Sequence, residues 1–336
     1  MTNNPTSKSQ RAVPLRVMLL AFAVSGVLMA AKFLAYGFTG STAILSDALE
    51  SIINVVASGF ALYSIYLSSR PPDSSHPYGH GKIEHFAVGF EGALILLAAA
   101  AILYKAIPAF FQEQPLGQLG VGILLVLGAS GVNLVMGFYL VRTGRRTRSI
   151  TLEADGKHLL TDVYTSFGVV GGLFLVRLTG WHVWDPLVAC MVAGNIVITG
   201  WRLVGRSFGG LMDEADPELL IRIVDILNDW RQPDWVGIHR LRSRRYGEKV
   251  HVDFHLILPR HYGLQDAHVE AEKIEKLILD SLSEVVEVIV HVDPCEDPLC
   301  EFCRQDRCQD RNSVGTEADK PWRLEQLVAK REHRTQ

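Results

Sequence analysis

The sequence lacks a charge excess: 33 Lys and Arg stand against 36 Asp and Glu, a net charge of −3 over 336 residues. Without a basic field there is nothing to grip a nucleic-acid backbone, so that class of partner is set aside. Cysteine is scarce as well. Of five, Cys190 lies in an apolar stretch and four crowd between Cys295 and Cys308, which excludes a disulfide framework spread over the chain. There is no His-Glu-x-x-His pair for metal-assisted hydrolysis, so neither an enzyme nor a catalytic cofactor is expected. The polar segment Met1 to Pro14 leads into an apolar run too long for a signal-peptide core, without an evident cleavage site, and is read as retained. No charged residue occurs anywhere from Pro115 to Val141.

What is present is strongly segregated. Hydrophobic residues make up 48% and mean hydropathy is +0.17, yet 21% of residues are charged, and the change from apolar to charged sequence falls near residue 210. A bilayer core of roughly 30 Å needs about 20 mostly apolar helical residues. Six stretches qualify: Leu15 to Phe38, Ala43 to Tyr66, His85 to Ala106, Leu119 to Val141, His158 to Leu178 and Pro186 to Val204. Arg11, Arg16, Arg70, Lys82, Arg142, Arg145, Arg146, Arg148, Arg202 and Arg206 flank them on one side, whereas the alternate connections carry only Lys105. The positive-inside rule then predicts both termini in the cytoplasm of a multi-pass inner-membrane protein.

Beyond residue 210, Asp216 to Trp230 has helical periodicity, Trp235 to Arg244 and Lys249 to Leu258 read as strands about the turn Tyr246-Gly247, Asp266 to Leu282 as a helix, and Val286 to Val292 as a strand. The expected fold is thus a six-span α-helical membrane domain, residues 15–210, followed by an α+β domain of order α-β-β-α-β, residues 211–294. Residues 1–14 form a cytoplasmic leader and 295–336 a Cys-rich, flexible tail with a short helix around Trp322 to Lys330.

Ionisable side chains inside spans cost about 2.5–3.5 kcal/mol each on insertion scales and mark function by default. In the second span Asp47, Glu50 and Asn54 are spaced i, i+3, i+7 and share a face; in the fifth, His158 and Asp162 do so at i, i+4. An imidazole meeting carboxyl and amide oxygens between two helices makes a cage suited to a divalent transition metal, Zn²⁺ first. The alternatives are a helix-start dipole preference for Asp47 and Glu50, favoured for Asp47, and a simple His158–Asp162 hydrogen bond. Lys32, Glu91 and Asn133 are read as structural, with Glu91 near the cytoplasmic end of the third span.

The fifth-span His158-Leu-Leu-Thr-Asp162, the second-span stretch Ser46 to Asn54 and the loop His76-Pro-Tyr-Gly-His80-Gly-Lys82-Ile-Glu84 together resemble the cation diffusion facilitator family of divalent-metal/proton antiporters, over about residues 15 to 295. The resemblance implies six spans, a metallochaperone-like cytoplasmic domain, a homodimer, and a transport site at Glu50, Asn54, His158 and Asp162. The commonest family pattern has Asp or His at the first position and Asp at the second, so Glu50 and Asn54 leave metal identity open among Zn²⁺, Cd²⁺, Fe²⁺ and Co²⁺. It further implies a loop site at Asp73, His76 and His80; cytoplasmic sites at His239, His255, His291 and Asp293, with His268 bridging; and an interface charge pair between Lys82 and Asp213. His251 shares a strand face with His255 but matches no family position. The run Cys295-x4-Cys300-x2-Cys303-x4-Cys308 is an addition to the family core and is read as a metal-binding tail.

Metal and protons compete for the same atoms, because a ligating histidine must be neutral and a ligating carboxylate ionised, so a proton gradient drives efflux. A membrane-tethered metal sensor and a membrane metalloenzyme are the rivals from other classes.

Overall fold

The computed structural model describes residues 5–39, 42–111, 120–181, 183–247, 249–304, 308 and 319–329. The chain divides after Met212 into two units.

Among the described residues the first unit has six helices: α1 (Pro5–Thr39), α2 (Thr42–Ser68), α3 (Ile83–Ala109), α4 (Gly120–Thr147), α5 (Ile150–Thr179) and α6 (Trp184–Leu211). The shortest have 27 residues, about 40 Å at 1.5 Å per residue and longer than a hydrocarbon core of roughly 30 Å. Among the described residues α1, α3 and α6 meet length and hydropathy thresholds for a span by themselves. Helices α2, α4 and α5 each run through side chains outside the described set. Large apolar side chains such as Val27, Leu97 and Val135 point outward, as lipid-facing surfaces require.

Helix α5 starts at Ile150, about two turns before the expected start at His158. Apolarity marks where a chain enters lipid, not where helix begins. Here the first turns carry charge, and Lys157 Nζ meets Glu153 Oε1 at 2.8 Å across an i, i+4 step that favours helix. Two helix pairs touch backbone to backbone through glycine. A Cβ on Gly92 of α3 would lie 3.1 Å from the Gly200 carbonyl of α6, and one on Gly200 would lie 3.1 Å from that of Gly92. In the same way, a Cβ on Gly156 of α5 would lie 2.8 Å from Val141 N and 2.9 Å from Gly137 O of α4. Without side chains at these points the helices close to a distance that dispersion and polar contacts reward inside a bilayer.

The second unit contains α7 (Pro217–Asp229), β1 (Gly237–Tyr246), β2 (Lys249–Leu258), α8 (Leu264–Ser281), β3 (Val285–Pro294), a 3₁₀ turn over Asp297–Phe302, and α9 (Leu324–Val328). Helix α7 begins where Asp216 Oδ1 accepts the Leu219 N–H at 3.3 Å and Pro217 occupies the first turn. The sheet order is β1-β2-β3, antiparallel between β1 and β2 and parallel between β2 and β3, with α8 as the crossover. Alternation along β2 sends Val250, Val252, Phe254 and Leu256 into a core shared with Leu219, Ile223 and Leu227 of α7 and Ile274 and Ile278 of α8. His251, Asp253 and His255 fall on the opposite face.

Part of the expected flexible tail belongs to this fold. Leu327 is buried in the same core, Trp322 N donates to Asn228 Oδ1 at 2.8 Å while Asn228 Nδ2 donates to the Trp322 carbonyl at 3.0 Å, and the Arg231 guanidinium stacks 4.2 Å over the Trp322 ring. Three apolar residues, Trp322, Leu324 and Leu327, suffice to dock a segment whose composition otherwise reads as solvated. Leu327→Ala is expected to lower the unfolding free energy of this unit by about 2–5 kcal/mol, read from urea titration; a loss near zero would mean that the docking contributes nothing.

Candidate metal sites

Helices α2 and α5 bring three of the four expected transport-site residues together. Asn54 Nδ2 donates to Asp162 Oδ2 at 3.0 Å, and His158 Nε2 lies 3.1 Å from Asn54 Oδ1. Since the amide nitrogen donates to Asp162, the amide oxygen is the acceptor, and His158 carries its proton on Nε2. His158 Nδ1 is then the nitrogen turned toward Asp162, 3.9 Å from its Oδ1. His158 is nearly buried, with its side chain 6% exposed. A dication arriving here would meet one carboxylate, one amide oxygen and one imidazole nitrogen presented from two helices, donors that suit a borderline metal. The Glu50 and Asp47 side chains lie outside the described residues.

Two further carboxylates approach this cluster. Asp155, three residues before His158 and so on the same side of α5, is fully buried and accepts Ser58 Oγ of α2 at 3.0 Å. Glu91 is 2% exposed, about two turns from the start of α3, and interacts electrostatically with Asp155, His158 and Asp162. Glu91 Oε1 and Asp155 Oδ2 have no hydrogen-bond partner among the described residues. Sequence reasoning passed over Asp155 because the fifth span was taken to begin after it; its i, i+3 spacing to His158 was the available signal. Below the two carboxylates, the buried Glu84 accepts hydroxyls from Ser68 at 2.8 Å, Ser149 at 3.1 Å and Thr151 at 3.3 Å, tying the ends of α2, α3 and α5 together.

The loop after α2 forms a second cluster. Asp73 Oδ1 accepts the backbone N–H groups of His76 at 2.7 Å and Ser75 at 3.0 Å, and His80 Nε2 lies 3.2 Å from Asp73 Oδ2. Bonds from Ser75 and the His76 backbone hold the Asp73 carboxyl at about 2, well below the usual carboxylate range. Gly79, at φ +89°, makes the turn that returns His80 toward Asp73.

On the sheet, the pairing puts His239 opposite His255 and His255 opposite His291. Asp293 Oδ2 lies 2.9 Å from both His239 Nε2 and His255 Nδ1, and Asp293 Oδ1 lies 3.2 Å from His291 Nε2. Burial pushes the Asp293 carboxyl up, but the hydrogen bonds from His255 and His239 and the pull of His255 and His291 outweigh it and hold it below its ordinary value. His239 is aimed by a bulge: the β1–β2 register shifts between His239 and Arg242, and Arg240 takes φ +54°.

Among the described residues, Asp73/His76/His80 and His239/His255/Asp293 are the two groups of three or more ligand types whose donor atoms all lie within 4.8 Å of one another. His268 does not join the sheet cluster: it stands exposed on α8, 3.4 Å from Glu272, because the core-facing stripe of that helix is taken by residues such as Ile274 and Ile278. His251 pairs separately with Glu287 at 2.6 Å. Cys295, Cys300, Cys303 and Cys308 are not joined in disulfides and line one small pocket with Leu299 and Arg260. Lys82 belongs to the first unit, where its Nζ reaches the Leu211 carbonyl at 3.4 Å, and Asp213 to the second.

Comparison with known proteins matches residues 18–212 to the cation efflux transmembrane domain and residues 215–295 to the cytoplasmic domain of cation efflux proteins. An uncharacterized transporter of Synechocystis sp. is 38% identical over 270 residues, 80% of this chain and 87% of that protein. Cation-efflux pumps named FieF from Citrobacter koseri and Escherichia coli are each 30% identical over 281 residues, 83% of this chain and 92% of theirs.

Proposed function

Because the chain belongs to the cation diffusion facilitator family of divalent-cation efflux transporters, we propose that it exports a transition-metal dication from the cytoplasm in exchange for protons. Zn²⁺ is the first candidate, with Cd²⁺, Fe²⁺ or Co²⁺ as alternatives. The observation that carries this reading is the meeting of Asn54 from α2 with His158 and Asp162 from α5 inside a membrane domain. Glu50, one helical turn before Asn54, completes the ligand set.

The coupling follows from what each ligand must give up. His158 coordinates only through an unprotonated nitrogen, with an unperturbed pKa of about 6.5, and Asp162 only as carboxylate. When the site opens to the more acidic side, protons occupy these atoms and the metal leaves; when it opens to the cytoplasm, metal displaces them. Ligation through His158 Nδ1 allows Nε2–H to keep its bond to Asn54, which holds the ring in place while the metal changes.

The cytoplasmic domain and the loop are assigned regulatory roles. His239, His255, His291 and Asp293 bind metal on the sheet face, and Asp73, His76 and His80 bind it on the loop, stabilising a homodimer in which Lys82 and Asp213 form an interface ion pair. The four cysteines are a thiolate site whose sulfurs draw together on metal binding. Both termini lie on the cytoplasmic side of the inner membrane.

The test is flux in reconstituted vesicles. With an acidic interior, Zn²⁺ uptake is expected to accelerate and to be accompanied by proton release, and collapsing the gradient with a protonophore returns it to the basal rate. Uptake indifferent to the gradient, at equal protein and metal, would refute proton exchange. Running Cd²⁺, Fe²⁺ and Co²⁺ in parallel ranks the substrates.

A further inference from the structure

A second feature of the membrane unit is unrelated to metal. Where α4 and α6 end and α5 begins, a cleft of about 1050 Å³ opens between these three helices. Its rim carries six cations, Arg142, Arg145 and Arg146 from α4, Lys157 from α5, and Arg202 and Arg206 from α6. Among the described residues Glu153 is the one acid joined to them, meeting Lys157 at 2.8 Å, Arg206 at 3.3 Å and Arg145 at 3.9 Å. Six cations against one carboxylate leave 6 − 1 = +5 at the rim. Nothing else on these helices offsets the charge: α4 contains no acidic residue, the acid of α6 is Asp185 at its opposite end, and Asp155 and Asp162 lie on the other face of α5.

Positive residues at one membrane face follow from topology alone, but topology does not gather them around a cavity. Below the rim, Phe138 and Val141 of α4 and Leu160 of α5 form an apolar wall, which Asn195 and Thr199 of α6 face with polar groups. A cationic mouth above an apolar wall matches one kind of molecule, with a negative head and a hydrocarbon chain. It also disqualifies the cleft as a path for dications, which its charge repels. On α5, Lys157, Leu160, Thr161 and Tyr164 face the cleft at helical spacing, whereas His158 and Asp162 point to the side that meets α2.

We propose that this cleft binds the phosphate headgroup of an anionic phospholipid from the leaflet it faces, with an acyl chain lying against the apolar wall formed by α4 and α5. Basic pockets between membrane helices hold such headgroups elsewhere through the same charge pairing. Guanidinium forks, five of the six cations here, are matched to phosphate oxygens. The bound lipid fills the cleft and offsets the charge that Glu153 leaves over.

The experiment uses the full-length protein in nanodiscs of phosphatidylcholine with and without phosphatidylglycerol, with lipid retained after delipidation counted by mass spectrometry. Wild type is expected to retain phosphatidylglycerol selectively. The combined Arg142→Gln, Arg146→Gln and Arg202→Gln variant spares the three partners of Glu153, and its retention is expected to fall about fivefold per arginine, on the order of 100-fold in all. The triple Arg→Lys variant at the same positions keeps most of the retention and serves as the folding control. A parallel arm offers inorganic phosphate in place of lipid. Equal retention by wild type and the glutamine variant, or full displacement of the lipid by inorganic phosphate, would overturn the proposal, and neither result bears on metal transport.

Discussion

Vesicles carrying Asp162→Ala are expected to move metal at least about 100-fold more slowly than wild type, while the protein melts at the same temperature or higher. Both halves follow from the position of the carboxylate. Asp162 is the acid that faces His158 and accepts the Asn54 amide, so its loss removes the negative ligand of the described triad and frees the Asn54 side chain to rotate. Loss of a supporting partner alone typically costs 10–100-fold in metal affinity, and loss of a ligand costs more. A charged group within a membrane helix is unfavourable by about 2.5–3.5 kcal/mol, so alanine relieves the folded state of that burden. Reduced flux with an unchanged or raised Tm identifies a functional carboxylate. Flux near wild type would mean that the ion passes elsewhere, and the reading of α2 and α5 would have to be abandoned. Asn54→Asp is the complementary change: it restores a second charge and is expected to tighten metal binding and make release more sensitive to acid.

Gly156→Leu should be still more disruptive, because it acts on the frame that presents the site. A Cβ there meets Val141 N at 2.8 Å and Gly137 O at 2.9 Å, and backbone cannot step aside as the end of a side chain can. Helices α4 and α5 must separate, at an overpacking penalty of about 1–3 kcal/mol or more. His158 stands two residues along the same helix, so any protein that still folds holds its imidazole displaced. The expected result is a sharp fall in folded protein on size-exclusion chromatography, with the remainder inactive. Gly26→Ala in α1 is the control: a Cβ there has nothing within 4 Å, and alanine favours helix by up to about 1 kcal/mol. Should the two variants behave alike, close backbone approach would not be what holds α4 to α5.

The parts of this architecture legible in the sequence are those with a single physical cause. Six apolar runs announce six helices because lipid accepts little else, and the i, i+4 spacing of His158 and Asp162 places both on one face whatever the helix packs against. Alternation along Lys249–Leu258 announces a strand with one buried side. Features that depend on neighbours were not legible. Glu91 in an apolar run reads the same whether it faces a helix end or the Asp155 carboxylate, and only the packing of α3 decides. His268 shows a ligand type at a plausible spacing but stands exposed on α8, beside Glu272. The docking of Trp322 and Leu327 rests on three side chains in a polar stretch, too few to give a period.

That docking reaches farther than the core it fills. The bulge that turns His239 toward Asp293 leaves the Arg240 N–H out of the strand ladder, and the Ala329 carbonyl, just past α9, accepts it at 3.2 Å. The carboxy-terminal segment thus acts as a latch on the strand whose kink sets the imidazole. A protease cut or fused tag that lifts this latch is expected to shift an imidazole some ninety positions earlier in the chain, so that, if the sheet binds metal as proposed, its grip can be adjusted from the far end of the polypeptide.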